Sequence, residues 1–115
     1  MDITRTMPAD ESPKWIRRLF DGTWKTATFP LTGVPRRCQP GDSLFLIYRG
    51  QVTRRFDILK IKRVWQTVLV GPHGSKRIEA RCKIIVGCPG ERPARILRRR
   101  GHQGFRYVRL ARWRG

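Results

Sequence analysis

Clusters of arginine along this sequence have the chemistry to bind phosphate groups. Twenty of the 26 basic residues are arginines, and residues 92–115 contain nine of them and no acidic residue. A guanidinium group holds a phosphate through a planar fork of N–H donors and also stacks on bases, whereas lysine acts as a point charge. We therefore expect a phosphate-binding surface built mainly from the last quarter of the chain. Its candidate residues are Arg95, Arg98, Arg99 and Arg100, with Arg36, Arg37, Arg54 and Arg55 from earlier positions.

Aromatic side chains near other polar groups indicate a place for a base. Trp24 directly precedes Lys25, and Tyr48 ends an apolar segment. An unstacked base gains about 1–3 kcal/mol by stacking on an aromatic ring. We expect a cleft for a base or nucleotide near Trp24, Lys25, Thr28 and Tyr48, with burial of Trp24 in the core as the alternative. The pair His102 and Gln103 either contacts bases or simply connects two elements.

The chain as a whole is also strongly basic. It has 115 residues, with 26 basic against 8 acidic side chains and a formal net charge of +18. Like charges at this density repel one another in a compact fold, so such a surface usually meets a polyanion. The expected partner is a nucleic acid, with RNA first and single-stranded or modified DNA second. A merely solvated charged surface, an acidic protein partner and a membrane surface are the alternatives.

Several classes of protein are excluded by what the sequence lacks. It has no run of about 18 apolar residues, so we expect no transmembrane helix, and its polar first residues lack the apolar centre of a signal peptide. Its three cysteines include no closely spaced pair. That spacing predicts neither a disulfide framework nor a zinc site. We expect a cytoplasmic monomer without cofactor, metal or membrane partner.

Hydrophobic patterning predicts a mostly β (α+β) fold in one domain. Residues 1–11 are predicted to form a flexible arm, and residues 12–115 the domain. Ser12 and Pro13 predict the start of an amphipathic helix that ends near Gly22. Strands are predicted over 43–48, 52–65, 66–70, 76–87 and 104–113, and a short strand or extended turn over 23–29. We also expect a bulge or a change of face near Leu59 and a short basic helix over 94–100. Closure into a small barrel would remove exposed sheet edges, which favours a closed or nearly closed barrel.

Three short motifs resemble the ASCH family of the PUA-like superfamily, to which EVE domains are related. They are Asp21-Gly22 after a helix, the stretch Lys25-Thr26-Ala27-Thr28, and Pro40-Gly41-Asp42 before an apolar strand. Residues 104–108 are similar to the closing strand of these domains, so the resemblance covers about residues 14–112. It implies a PUA-like small pseudo-barrel with a cleft beside the first helix. It also implies binding of RNA or, as in EVE domains, of modified DNA bases.

The same resemblance implies an enzymatic alternative. Some small ASCH proteins are amidohydrolases that act on N4-acetylcytidine with a lysine, a threonine and a glutamate. Lys25 and Thr28 match the first two positions, and a neighbouring base would activate the Thr28 hydroxyl as a nucleophile. The glutamate has no counterpart, because Glu79 falls in a predicted strand and Glu91 in a break rich in Pro and Gly. Binding without catalysis is therefore the first expectation, and a structural role in a ribonucleoprotein is a further alternative.

Overall fold

Six strands and one α-helix form the part of the chain that the computed structural model describes, residues 1–8 and 11–109 without the side chain of Pro72. In chain order the elements are β1 Asp2–Met7, α1 Pro13–Phe20, β2 Thr26–Leu31, β3 Ser43–Tyr48, β4 Gln51–Val70, a 3₁₀ turn at Pro72–Gly74, β5 Lys76–Gly87 and β6 Phe105–Val108. The predictions of a mostly β fold and of an N-terminal amphipathic helix are confirmed. The predicted last strand, 104–113, is observed only over β6, and residues 110–113 lie outside the described part.

The strands form one mixed, strongly curved sheet in the order β2-β5-β4-β3-β1-β6. All neighbours are antiparallel except β1 and β3. Three strands separate β1 from β2, yet the guanidinium carbon of Arg5 in β1 lies 4.8 Å from the centre of the Phe29 ring in β2. The sheet is nevertheless not closed into a barrel, so of the predicted closed or nearly closed barrel the closed form is wrong. Pro30 suits the free edge at β2 because it has no N–H to offer a further strand.

β1 occupies an interior position that the sequence pattern conceals. The prediction of a flexible arm over residues 1–11 is wrong for residues 2–7, which pair with β3 and β6. Ile3 and Met7 are buried in the core, but Arg5 stands between them on the same face. The alternating hydrophobic pattern of a strand is therefore interrupted by a charge. Thr4, on the opposite face, is also buried and its hydroxyl is hydrogen-bonded to His102 Nε2 at 2.7 Å.

The main core lies between the concave face of the sheet and α1. Leu19 of the helix is fully buried, and Trp15, Ile16 and Phe20 pack around it, as the predicted apolar stripe requires. Phe56 of β4 is the largest strand side chain in this core together with Phe29. This side of the sheet therefore fixes the position of α1 over the strands.

The opposite, outer face of the sheet is covered over β3 by residues 91–99, which we call the strap. The strap contains no helix and bends at residues 94–95, so the prediction of a short basic helix over 94–100 is wrong. Arg55 and Glu91 exchange both backbone N–H···O bonds, at 2.9 and 2.8 Å, and Val52 N–H donates to Leu97 O at 2.9 Å. Leu97 packs on a second buried cluster formed by Phe45, Ile47, Val52 and Val108. A seven-residue helix is marginal in water, whereas these contacts stabilise the non-helical form.

Burial of Cys38 makes the stability of this fold sensitive to alkaline pH. Burial raises the pKa of the Cys38 thiol to about 11, above its ordinary value. Between those two values the unfolded chain loses the thiol proton and the folded chain keeps it, so stability falls as pH rises. From about pH 8 to about pH 10 the thiol should contribute a loss of about 1 kcal/mol. Urea unfolding at both pH values checks this, and Cys38→Ala should show a correspondingly smaller pH-dependent loss than the parent. Equal losses in the two proteins would contradict the assignment.

Candidate nucleic-acid interface

The long β4–β5 hairpin presents an uncovered part of the outer face. The two strands pair from Ile58 and Val86 out to Val70 and Lys76, so the predicted strands 52–65 and 66–70 are one continuous strand. The predicted bulge near Leu59 is confirmed by a shift of register between Ile58 and Lys60. Cys82, Ile84 and Val86 point into the core, so the alternate residues of β5 lie on the outer face.

Register places a set of cations together on this surface, which we call the outer ribbon face. Lys62 is directly opposite Lys83, and Lys60 is opposite Ile85, so these side chains share one face. Arg77, Arg81 and Lys83 alternate along β5 on the same side. The outer ribbon face comprises Lys60, Lys62, Trp65, Arg77, Arg81 and Lys83. The one acid of β5, Glu79, accepts a hydrogen bond from Thr67 Oγ1 at 2.7 Å.

Trp65 is the functional candidate that sequence reasoning missed. Its side chain is 73% exposed, the most exposed large hydrophobic residue of the described chain. The guanidinium carbon of Arg81 lies 3.4 Å from the centre of the Trp65 ring, in a cation–π stack. One ring face is thus held against a cation, which orients the indole on the surface. The available signal was the alternation of β5, which assigns Arg81 to the polar face of the hairpin. A neighbouring aromatic side chain of β4, such as Trp65, can stack on it there.

The predicted phosphate-binding arginines divide into two groups. Six of them are exposed on the surface, either on the loop before β3 or along and just after the strap: Arg36, Arg37, Arg95, Arg98, Arg99 and Arg100. The backbone of Arg98 and Arg99 is held against the start of β4. Arg98 forms an isolated backbone β-bridge with Gln51, and the Arg99 N–H donates to Gly50 O at 2.9 Å. The exposed members therefore remain candidates for phosphate contacts.

Arg54 and Arg55 serve the fold instead. Arg54 is buried, with its guanidinium carbon 4.5 Å from the centre of the Phe20 ring, and burial lowers its pKa. Arg55 donates to Glu91 Oε2 at 2.6 and 3.0 Å, and also to Ser43 Oγ and Asp57 Oδ1. The hydrogen bond to Glu91 raises the pKa of Arg55. These side chains are unsuited to hold a phosphate, because one is enclosed and the other is occupied by carboxylates.

A cavity of about 640 Å³ lies where β1, the free edge of β2 and the tip of the β4–β5 hairpin approach one another. Its walls include Arg5, Trp15, Phe29, Ile78 and His102. This volume is within the usual range of small-ligand pockets. Thr28 lies at its rim, since the pairing of Thr28 with Ile85 puts the hydroxyl on the outer face of the sheet. The cavity is thus next to the predicted strand, and it extends to the tip of the hairpin that carries the outer ribbon face.

The other residues predicted for a base pocket lie elsewhere. Lys25 is exposed before β2, with its carbonyl bonded to the Cys88 N–H at 2.9 Å. Trp24 is partly buried against Trp15, with ring centres 5.6 Å apart in an edge-to-face contact. Tyr48 packs against the core and carries the Arg49 guanidinium over its ring at 5.1 Å. Of the four predicted residues, only Thr28 belongs to the cavity lining.

The glutamates needed for the enzymatic alternative are engaged in other contacts. Glu79 is bonded to Thr67 on the outer ribbon face, and Glu91 is bonded to Arg55 at the start of the strap. Within residues 1–8 and 11–109, no group of three His, Cys, Asp or Glu side chains is placed to hold a metal ion. The geometry of the described chain therefore supplies binding surfaces more clearly than a catalytic set.

Comparisons with known proteins found no similar protein, so the function is inferred from the geometry of the site. A scan against models of protein families, a search of curated proteins and a search of solved structures each returned no match. No helix in the described part of the chain has the length and apolar character needed to cross a bilayer.

Proposed function

We propose that this domain binds single-stranded nucleic acid, with RNA as the first candidate, across the outer ribbon face. The observation that carries the proposal is the Trp65–Arg81 stack on a surface that also bears Lys60, Lys62 and Lys83. An exposed ring on a strand surface offers stacking to any base, and the surrounding cations offer contacts to phosphates. A formal charge of +18 makes a polyanion the natural counterpart.

Contacts to phosphates and contacts to bases contribute differently to binding. Phosphate contacts supply affinity without regard to sequence, and contacts to bases supply selectivity. The outer ribbon face and the exposed arginines of the strap provide the first kind. The cavity at the edge of β2 provides a place for the second, because it has aromatic and apolar side chains in its walls and reaches the tip of the same hairpin. A strand that crosses the ribbon and ends at the hairpin tip can therefore place its terminal nucleotide in the cavity.

The resemblance to ASCH domains supports the same function and a finer assignment of the fold. We include in the proposal that the curved sheet is of the PUA-like type. Gly41-Asp42 leads into β3, and Lys25 precedes β2, as the motifs require. The cavity also lies beside the first turns of α1, at Trp15. The strap departs from the expected pattern, since these domains carry a short helix before the closing strand.

Removal of the Trp65 ring tests the observation on which the proposal mainly depends. Trp65→Ala should lower the affinity for a fluorescein-labelled poly(U) oligonucleotide by about tenfold, because it removes one stacking platform. Fluorescence anisotropy at about 0.1 M monovalent salt measures the change. The indole is exposed, so the substitution should leave the fold intact by circular dichroism.

Ile96→Ala is the matched control for this experiment. Ile96 is another large apolar side chain with 67% exposure, and it lies on the strap away from the Trp65–Arg81 stack. Its removal should change the affinity less than about twofold. If the parent protein does not bind the oligonucleotide in this buffer, or if both variants weaken binding to the same extent, the assignment of the outer ribbon face as the binding surface is wrong.

A further inference from the structure

We propose that the cavity beside β2 binds a phosphate monoester, and that Arg5 is the residue that holds it. The inference deepens the proposed function, on which its nucleotide identity rests, by naming the chemical group that the cavity takes. Arg5 lies on the concave face of β1 between Ile3 and Met7, and it forms part of the cavity wall. Its guanidinium is thus fixed on a rigid strand, with one face against the Phe29 ring.

Within the described residues, Arg5 has no carboxylate or carbonyl that accepts a hydrogen bond from it. Its contacts there are the Phe29 ring and a longer-range attraction to Glu11. The Glu11 carboxylate accepts a bond from the Ser12 N–H at 3.0 Å. The partly buried Arg55 shows a different arrangement, since its guanidinium donates to Glu91, Ser43 and Asp57. As far as residues 1–8 and 11–109 are concerned, Arg5 therefore keeps N–H donors for a ligand at the cavity wall.

A partly enclosed cation of this kind destabilises the empty protein. Burial lowers the pKa of Arg5 to about 10, so the group still carries its charge at neutral pH while it is poorly solvated. Buried charges are normally paired, because the loss of hydration is unfavourable without a partner. An anion that enters the cavity would supply that partner through charge-assisted hydrogen bonds. The arrangement thus favours an occupied cavity over an empty one.

The composition of the walls favours a phosphate monoester on a flat body. Lys76 is a second cation of the lining, against the single carboxylate of Glu11, so the cavity keeps a net positive charge that suits the oxygens of a phosphate group. Trp15 and Ile78 provide apolar walls for a ring system. A nucleoside 5′-monophosphate has both parts. The phosphate can belong to a free nucleotide or to the end of a strand.

Binding of uridine 5′-monophosphate and of uridine by the parent protein and by Arg5→Met tests the proposal. Isothermal titration should show the parent binding the monophosphate at least about tenfold more tightly than the nucleoside, and Arg5→Met should abolish that preference. Arg5→Lys keeps the charge without the planar fork and should retain part of the preference. Arg17→Met, on the exposed side of α1, is the matched control and should behave as the parent.

Thermal unfolding provides an independent readout. Without ligand, Arg5→Met should unfold at a higher temperature than the parent, because an unpaired charge is replaced by an apolar chain. With the monophosphate, the parent, Arg17→Met and Arg5→Lys should gain stability, and Arg5→Met should not. A lower unfolding temperature of ligand-free Arg5→Met would show that the chain already pairs this charge, and would overturn the proposal. Equal affinity of the parent for uridine and its monophosphate would overturn it as well.

Oligonucleotides with and without a 5′-phosphate separate the sources of the group and the two proposals. Tighter binding of the 5′-phosphorylated strand, lost in Arg5→Met, assigns the cavity to a strand end. Preference for the free monophosphate alone assigns it to a small nucleotide. The unphosphorylated strand should bind Arg5→Met and the parent equally through the outer ribbon face. Failure of that strand to bind would overturn the proposed function and leave the phosphate preference of the cavity standing.

Discussion

Neutralising the five cations of the outer ribbon face should lower the affinity for a single-stranded oligonucleotide by about a thousandfold at about 0.1 M salt. The variant changes Lys60, Lys62, Arg77, Arg81 and Lys83 to Gln. Each phosphate contact on a single strand releases about 0.7 of a counterion, so five lost contacts should also make the slope of log K against log[salt] shallower by about 3.5. All five side chains lie outside the buried core, so the sheet should keep its structure. Anisotropy titrations over a series of salt concentrations measure both quantities.

A second variant with the same charge separates position from net charge. Lys14, Arg17, Arg18, Arg106 and Arg109 are exposed away from the outer ribbon face, and changing them to Gln removes the same five charges. Both variants go from +18 to +13. The control should lose less than about tenfold in affinity, since long-range attraction is screened at this salt concentration. Similar losses in the two variants would mean that total charge, and not the ribbon, governs binding.

Gly90→Ala should destabilise the fold by about 3 kcal/mol or more, the largest effect that we expect from one added methyl group. Gly90 precedes the strap and has φ +81°, a left-handed conformation that alanine adopts with strain. A Cβ atom there would lie 2.8 Å from two carbons of the Phe56 ring and 3.0 Å from the Arg55 carbonyl oxygen. Phe56 is fully buried, so neither the ring nor the backbone has room to move. Urea unfolding of the parent and the variant measures the loss.

Gly22→Ala isolates the backbone part of that loss. Gly22 has φ +82°, almost the same as Gly90, but an added Cβ would meet no atom within 4 Å. Its substitution should cost about 1–2 kcal/mol through conformation alone. The difference between the two variants therefore reports the close approach of the strap to the core. Equal losses would show that Gly90 is constrained by its dihedral angle and not by Phe56.

The elements that were predicted correctly are those whose formation is determined by neighbouring residues. Ser12 and Pro13 marked the start of α1, and the apolar stripe at Trp15 and Leu19 identified its buried side. The near-continuous apolar run over 43–48 is typical of a central strand, and β3 lies between β4 and β1 with the core on one face and the strap on the other. The break in alternation at Leu59 predicted the bulge in β4. In each case neighbouring residues carry the physical cause.

Elements that depend on distant partners escaped prediction for a physical reason. β1 is stabilised by pairing with residues about 40 and 100 positions away, and its partly polar composition gives no local sign of that. The strap has the composition of a basic helix, but its backbone bonds go to β4 and Leu97 finds its apolar partners across the sheet. The Trp65–Arg81 stack and the enclosure of Arg5 likewise exist only after the hairpin forms and the sheet curves. The candidate site was therefore predictable in its chemistry and only partly in its residues.

Under the proposed function, Pro30 in the outermost strand has a further consequence for the protein. A free chain this basic is kept apart from its copies by mutual repulsion, but a bound polyanion cancels that repulsion. Bare strand edges then tend to add further strands and to start aggregates. Pro30 lacks the hydrogen-bond donor that such addition needs at the β2 edge. The crowded, charge-neutral complex is thereby protected from growing into fibrils along that side.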